Sequence, residues 1–276
     1  MSALRFQLRE APPQRLDCSP LTPDRLRGLS LAEIARLPLQ TTRAAITVGD
    51  LFTIAAGDAG TIVIVGGSAL MDEVGAGMTE GSITVEGEVG IRAGRGMRGG
   101  RLHISGKAGP YAASGLLGGE IEISGDAGDF LGGPGPGNPA GMAGGVVVVR
   151  GAAGARAGDR LRRGVIVIEG DSGDHPGSRM LAGTLVICGR AGAAPGYLMR
   201  RGTMFTQYAA PLATFSATGS VDHVFRALLA RTLLPPSAKI PSAKAAALIG
   251  GAALARFSGD LAGLGKGELL IADPAS

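Results

Sequence analysis

Bulky aromatic side chains are scarce in this chain of 276 residues, which has no tryptophan, three tyrosines and seven phenylalanines. Such residues usually contribute much of a protein core and of its ligand pockets. Their scarcity predicts a core built from aliphatic side chains.

Cysteine and long apolar runs are also nearly absent. The two cysteines, Cys18 and Cys188, lie far apart and have neither metal-ligand spacing nor a disulfide pattern. No signal peptide is recognisable, and no apolar run approaches the roughly 18 residues that a membrane span needs. We therefore expect a cytoplasmic protein with no membrane partner.

Lysine is rare as well, since arginine supplies most of the 27 basic residues. The net charge of +4 is too small to hold a nucleic-acid duplex, so we expect no nucleic-acid partner. Arginine favours forked contacts with carboxylates or phosphates. An arginine-rich genome would produce the same bias.

Glycine, by contrast, is abundant, with 48 residues. The glycines that close successive predicted strands are separated by intervals of 21, 19, 19, 26, 19 and 19 residues; they are Gly66, Gly87, Gly106, Gly125, Gly151, Gly170 and Gly189. A fixed period of this kind is typical of repeat proteins.

Each repeat contains an alternating pair of aliphatic residues, which predicts a strand with one buried face. The seven pairs are Ile62/Ile64, Ile83/Val85, Leu102/Ile104, Ile121/Ile123, Val147/Val149, Ile166/Ile168 and Leu185/Ile187. A third apolar position recurs three residues before the glycine that opens the next repeat, and we expect it in the core; it holds Met78, Met97, Leu116, Met142, Leu161, Met180 and Met199.

The repeat predicts an all-β fold, a single-stranded parallel β-helix. It would be a solenoid of seven rungs of roughly 19 residues with helical N- and C-terminal caps. Glycine would form the corners of each rung. The fourth rung carries the insertion LGGPGPGNPAG (131–141), which we expect to form a protruding interaction loop.

The flanks lack the repeat, which divides the chain into a cap with short helices (1–50), the β-helix (51–202) and a C-terminal cap or docking arm (203–276). Thr22-Pro23 and the capping box Ser30 to Glu33 predict two short helices. Asp222 to Leu234 predicts an amphipathic helix stopped by Pro235-Pro236, and Glu268–Ala272 predicts a last strand.

A search for catalytic and metal-binding residues finds no candidate. His103, His175 and His223 share no ligand spacing and accompany no nucleophile motif. The stretch Gly94 to Gly99 matches a dinucleotide motif by chance, because no βαβ unit surrounds it. Four aspartates recur at matching positions, and we interpret them as solvated corners; they are Asp126, Asp129, Asp171 and Asp174.

Arginine supplies the one candidate site. Several arginines fall on one predicted edge, where crowded like charges are easier to maintain beside an anion. The site would contact an acidic protein surface or a polyanionic ligand tail, and a merely solvated face stays open as the alternative. Its residues are Arg98, Arg162, Arg163, Arg179, Arg200 and Arg201.

The repeated G-M-x-G-G, at Gly96 to Gly100 and Gly141 to Gly145, resembles the β-helix shared by the C subunit of formylmethanofuran dehydrogenase and the C-terminal part of glutamate synthase large chains. The flanks LTPDRLRGLSLAEIARLPL (21–39), VGDLF (48–52) and RFSGDLAGLGKGEL (256–269) are similar to the ends of that C subunit. The chain is thereby identified as a member of this group of subunits.

The resemblance implies a non-catalytic scaffold subunit of a bacterial formyltransferase/hydrolase complex, which would convert formyl-tetrahydromethanopterin to formate through formylmethanofuran. Its partners would be hydrolase-like and formyltransferase-like subunits. The complex would use a methanofuran-type cofactor and tetrahydromethanopterin, with metal on the hydrolase subunit and no cofactor bound by this chain alone. Composition favours this complex over the archaeal one.

Two alternatives remain open. The first is the C subunit of a molybdenum or tungsten formylmethanofuran dehydrogenase. The second is a stand-alone β-helix transferase, which the absence of a hexapeptide period and of a suitable histidine disfavours.

Overall fold

A computed structural model describes residues 2–39, 44–219, 223–234, 238, 240–251 and 254–273, apart from the side chains of residues 223 and 273. The N-terminal elements are β1 (Ala3–Leu8), β2 (Leu16–Asp17), α1 (Pro23–Leu26), α2 (Leu31–Ala35), β3 (Pro38–Leu39), β4 (Ile46–Thr47), α3 (Val48–Leu51) and β5 (Phe52–Ala55).

The repeat region contributes β6 (Asp58–Val65), β7 (Met71–Asp72), β8 (Ser82–Glu86), β9 (Arg101–Ile104), β10 (Glu120–Ile123), β11 (Ala143–Val149), β12 (Arg163–Ile168), β13 (Thr184–Arg190) and β14 (Arg201–Tyr208). The chain continues through β15 (Ser216–Ala217), α4 (His223–Thr232), α5 (Ala243–Gly250), β16 (Ala255–Gly259) and β17 (Lys266–Asp273).

Thirteen strands form one mixed sheet in the order β15-β16-β17-β14-β13-β12-β11-β10-β9-β8-β6-β1-β5. Every pairing from β1 to β17 along this order is parallel, whereas β5, β16 and β15 add antiparallel pairings at the two ends. Two small sheets pair β2 with β7 and β3 with β4. A row of isolated parallel bridges also joins the segments that follow the repeat strands, from Ser68 to Ala191.

The register confirms which side chains form the core. Strands of successive repeats align residue by residue, so that Ile83 pairs with Leu102 and Leu102 pairs with Ile121. All seven predicted aliphatic pairs and the whole predicted methionine and leucine column are fully buried. The alternation therefore identified the inward face of each strand correctly.

The predicted seven-rung β-helix solenoid with helical caps is wrong, because the described residues form a 13-stranded, mostly parallel mixed sheet with few helices. The ends of the repeat region are continued by strands, with β1 beside β6 and β17 beside β14. An edge strand exposes unpaired N–H and C=O groups, which a neighbouring strand can pair and a helix cannot. The division of the chain at residues 50 and 202 stays a prediction.

The local predictions in the flanks are confirmed in several places. Pro23 opens α1, and the Ser30 capping box precedes α2, with the Ser30 amide donating to Glu33 at 2.8 Å. The predicted last strand lies within β17. The predicted helix from Asp222 corresponds to α4, while Asp222 and Pro235-Pro236 lie outside the described residues.

The outer face of the later strands is apolar and is covered by the C-terminal helices. Val148, Val167 and Phe205 point away from the main core, yet all three are fully buried in a second cluster with Ala245 and Ile249 of α5. The runs VVVV and VIVI in β11 and β12 are typical of strands buried on both faces. These apolar runs are visible in the sequence, and they predict that another layer covers the outer face of the strands.

Arg150 connects α5 to this face of the sheet. Its guanidinium donates to Glu122 at 2.6 Å, to Glu169 at 2.8 Å and to the Pro241 carbonyl at 2.9 Å. Ser242, the N-cap of α5, donates to the same Glu169 carboxylate at 2.7 Å. The start of α5 is thereby held against the sheet by hydrogen bonds to charged groups, which are the stronger kind.

Candidate functional site

The six arginines of the predicted site are described side chains at the surface, and none forms an ion pair with another described residue. Arg98, Arg162 and Arg200 occupy equivalent positions, because each amide donates to the carbonyl of the methionine one repeat earlier. Three strand spacings of about 4.8 Å separate the repeats of Arg98 and Arg162. Arg98 is therefore set apart from the others.

Two of the predicted arginines line one groove of about 430 Å³. Arg179 and Arg200 lie there together with Arg160, which the sequence reasoning missed. The remaining wall is apolar and is formed by Pro139, Leu181, Leu198, Ala262 and Gly263. Arg162, Arg163 and Arg201 do not line the groove. The signal for Arg160 was available, since Arg160 precedes Leu161 as Arg179 precedes Met180 in the buried column.

The predicted interaction loop forms one side of the groove. Pro139 belongs to this insertion, and the Nη1 atom of Arg160 donates to the Asn138 carbonyl at 3.4 Å. The insertion leaves the repeat between Gly132 and Met142, and the Met142 amide donates to the Gly132 carbonyl at 2.7 Å. Its role in an interaction stays a prediction.

The opposite side of the groove is a turn held by Asp260. This buried carboxylate accepts hydrogen bonds from the amides of Leu198 at 2.9 Å and Ala262 at 2.8 Å. Burial by itself would raise the pKa of Asp260, but hydrogen bonds from Thr214 and from these two amides outweigh it and lower the pKa. The turn is therefore fixed by an ionised carboxylate.

A second carboxylate near the arginines, that of Asp159, has its pKa shifted in the opposite direction. Asp159 is 3% exposed, and its Oδ1 atom has no hydrogen-bond partner among the described residues. Burial raises the pKa of Asp159, although Arg179, Ser178, Arg156 and Arg160 act in the other direction. Its charge therefore destabilises the fold at neutral pH.

The four recurrent aspartates, which we interpreted as solvated corners, also bind the backbone of the following repeat. Each Oδ1 atom accepts a hydrogen bond from a backbone amide in the following repeat, as Asp171 does from Arg190 at 2.7 Å. The other pairs are Asp126 with Ala152, Asp129 with Ala155 and Asp174 with Ala193. These carboxylates stabilise neighbouring repeats against each other.

Histidine and cysteine form no recognisable centre in the described ranges. His103 contacts Ser124 at 3.2 Å, His175 lies in a turn, and the side chain of His223 is outside the described part. Burial raises the pKa of Cys18, and it raises that of Cys188 to about 12. Within the described ranges, no three His, Cys, Asp or Glu side chains gather as a metal site requires. The prediction that this chain carries no catalytic or metal-binding residue is not tested by these observations.

Comparison with known proteins finds relatives both among curated sequences and among solved structures. No family model matches the chain. The C subunit of the formyltransferase/hydrolase complex Fhc from Methylorubrum extorquens is 48% identical over 92 residues, which are 33% of this chain and 34% of that relative. The crystal structure of the FhcABCD complex from the same organism, with methylofuran, contains a chain that matches with a TM-score of 0.91 and 47% identity over 98% of this chain and 99% of that one.

The chain belongs to the C-subunit family of formyltransferase/hydrolase complexes. This result confirms the family indicated by the repeated glycine motif and the flanking segments. The curated relative aligns over about a third of its own length, whereas the structural match is almost complete. No helix in the described part of this C-subunit family member is long and apolar enough to cross a membrane.

Proposed function

We propose that this chain is a non-catalytic scaffold subunit of a formyltransferase/hydrolase complex. The observation that carries the proposal is the match, over 98% of the chain at 47% identity, to a chain of the FhcABCD complex. A sheet of 13 paired strands, with carboxylates bonded to the backbone of the following repeat, is a rigid platform for other subunits. Several of its acidic side chains are thus already engaged in holding the fold.

The complex would move a formyl group from formyl-tetrahydromethanopterin to a methanofuran-type cofactor and release formate. The methylofuran in the related crystal structure supports the methanofuran-type cofactor for the complex. Tetrahydromethanopterin, a metal on the hydrolase subunit and a cytoplasmic location are further parts of this proposal. The partners would be hydrolase-like and formyltransferase-like subunits.

The arginine cluster is the proposed anion-binding surface of this scaffold. Guanidinium groups bind carboxylates through paired hydrogen bonds. None of the four guanidinium groups at Arg162, Arg163, Arg200 and Arg201 forms an ion pair with another described residue, which leaves them available for an external anion. The anion would be an acidic surface of a partner subunit or an acidic tail of the cofactor.

Native mass spectrometry of the affinity-tagged chain, purified from its own host at low salt, tests the scaffold proposal. We expect hydrolase-like and formyltransferase-like chains to accompany it in a fixed ratio. A chain that purifies alone, or only with copies of itself, would contradict the proposal.

A charge-matched pair of variants tests the arginine surface. Replacing Arg162, Arg163, Arg200 and Arg201 by Gln should weaken complex assembly or cofactor affinity at least tenfold. Four other exposed arginines, at positions 25, 36, 190 and 231, provide the control for the loss of four positive charges. If both variants assemble and bind the cofactor like the unchanged chain, the surface has no such role.

A further inference from the structure

Large side chains occupy a column of left-handed backbone positions at one corner of the repeats. The φ angles are 62° at Tyr111, 58° at Phe130, 58° at Arg156 and 58° at His175. This conformation is uncommon for bulky residues, and the same corner holds Glu73, Arg92 and Ala194 in the other repeats. Strained positions of this kind cluster at functional sites, where the surrounding structure holds them.

These residues are direct neighbours in space. Successive members are linked through the backbone. The Tyr111 amide donates to the backbone carbonyl of Asp129 at 2.8 Å, and the Phe130 amide donates to that of Ala155 at 2.8 Å. The Tyr111 and Phe130 rings stack at 4.8 Å with an interplanar angle of 5°. The Arg156 guanidinium carbon lies 5.7 Å from the Phe130 ring centre.

The next position of this column is Ala194, but a second pair of rings lies beside it, since His175 lies 6.0 Å from Tyr197 between ring centres. We call the whole set the aromatic–arginine stripe; it consists of Tyr111, Phe130, Arg156, His175 and Tyr197.

The stripe holds a large share of the surface aromatic residues in a chain that has few. Its members are half-buried or exposed, and Tyr197 is 40% exposed. Phe6, Phe52 and Phe205 are instead fully buried in the core. Tyrosine, phenylalanine and arginine are among the residues enriched in protein interfaces. This composition favours a docking surface over a solvated one.

The charges along the stripe indicate which kind of partner surface would match it. Arg156 carries a positive charge, and the groove arginines Arg160 and Arg179 belong to the same two repeats as Arg156 and His175. The nearby carboxylates of Asp129 and Asp174 are exposed, and the Oδ1 atom of each is held by a backbone amide, at 2.8 Å from Ala155 and from Ala193. A partner that matches this surface carries apolar side chains flanked by carboxylates.

We propose that the aromatic–arginine stripe is a docking surface for another protein subunit of the same complex, one that presents apolar side chains flanked by acidic residues. The proposal rests on the proposed function, since it takes the partner from that complex. The Tyr111 and Phe130 rings form its apolar centre, and Arg156 contacts a partner carboxylate.

Photo-crosslinking in the assembled complex tests this assignment without altering the rest of the chain. Benzoylphenylalanine placed at position 111 should crosslink to a partner subunit. Position 208 is the matched control, because Tyr208 also pairs with an arginine, Arg190 at 5.4 Å, but lies outside the stripe. Assembly of the complex with crosslinks from position 111 confined to this chain would overturn the proposal.

Substitution gives a second, quantitative measurement. In the four-subunit complex produced by co-expression, Y111A/F130A should lower the affinity for the partner at least tenfold, and Y111F/F130Y should retain it. Tyr208→Ala should assemble like the unchanged chain. Equal assembly of Y111A/F130A would contradict the docking role. Failure of the unchanged chain to assemble would instead contradict the proposed function. If Y111A/F130A is insoluble, the crosslinking result alone decides whether the stripe is a docking surface.

Discussion

The Nε atom of Arg226 on α4 donates a hydrogen bond of 2.7 Å to the carbonyl of Ile249 on α5. Its Nη2 atom donates a second bond of 2.7 Å to the carbonyl of Gly251. The two carbonyls lie at the C-terminal end of α5, on its penultimate residue and on its C-cap, where a positive charge also interacts favourably with the helix dipole. One buried guanidinium therefore joins the two helices that cover the outer face of the sheet.

Replacing Arg226 by Met should lower the free energy of unfolding by about 2 kcal/mol, because the carbonyls of the buried Ile249 and of Gly251 would lose a charged donor. Differential scanning calorimetry would report this as a lower unfolding midpoint. Arg231→Met is the matched control, since Arg231 is exposed on the same helix. Equal midpoints for the two variants would show that the bridge contributes no stability.

Asp260 should make the stability depend on pH in the acidic range. Its hydrogen bonds lower the pKa in the folded chain, while the unfolded carboxyl titrates near its ordinary value of about 3.9. The unfolded state therefore binds a proton first, so the contribution is complete above about pH 4 and is lost as the pH falls through the folded pKa.

Thermal unfolding of the unchanged chain and of Asp260→Asn between pH 6 and pH 3 measures this contribution. We expect the difference in midpoint between the two proteins to shrink as the pH falls below about 4. Carboxylates elsewhere titrate in both proteins and cancel in the difference. A difference that is independent of pH would contradict the prediction.

The effect of Asp159 on stability should depend on pH in the opposite way. Because burial raises its folded pKa, its ionisation destabilises the fold above the unfolded pKa, and this penalty disappears at lower pH, where the carboxyl is protonated in both states. Asp159→Ser, which introduces the residue found at the equivalent position 178, should stabilise the chain at pH 7 by on the order of 1 kcal/mol.

The gain from Asp159→Ser should decrease as the pH approaches about 3.9. Asp174→Ser is the control, since the exposed Asp174 carboxylate accepts a hydrogen bond from Ala193 at 2.8 Å and its loss should destabilise the chain slightly. Chemical denaturation of both variants at pH 7 and pH 4 provides the measurement. A loss of stability in Asp159→Ser at pH 7 would show that the arginines stabilise the charged form.

The structural requirement for glycine at the corners of the repeats can be tested at Gly106. A Cβ atom at this position would lie 2.6 Å from the carbonyl carbon and oxygen of Gly87, one repeat earlier, and backbone atoms cannot move aside. Gly106→Ala should therefore lower the free energy of unfolding by about 2 kcal/mol or more.

Gly263→Ala is the matched control, because the nearest atom to a Cβ there is the Asp260 carbonyl oxygen at 3.5 Å, an ordinary contact distance. Urea unfolding of the two variants should give clearly different midpoints. Similar midpoints would mean that the strands can move apart at Gly106.

The repeat made much of the core predictable, because alternation along a strand decides which side chains share a face. Ile83, Leu102 and Met97 are buried where the pattern places them. The candidate site was predictable only in part. Arg179 and Arg200 were recognised, and the repeat position of Arg160 offered the same signal, but the turn at Asp260 comes from a separate segment whose contact with the groove depends on the folded chain.

The sequence by itself determined the strands, their inward faces, the capping box at Ser30 and the family resemblance, since each depends on residues that are close in the chain or repeat at a fixed spacing. Only the tertiary structure decided that β1 and β17 extend the sheet and that α5 covers Val148 and Val167. These arrangements depend on pairing free strand edges and burying apolar faces between distant segments, which no local pattern specifies.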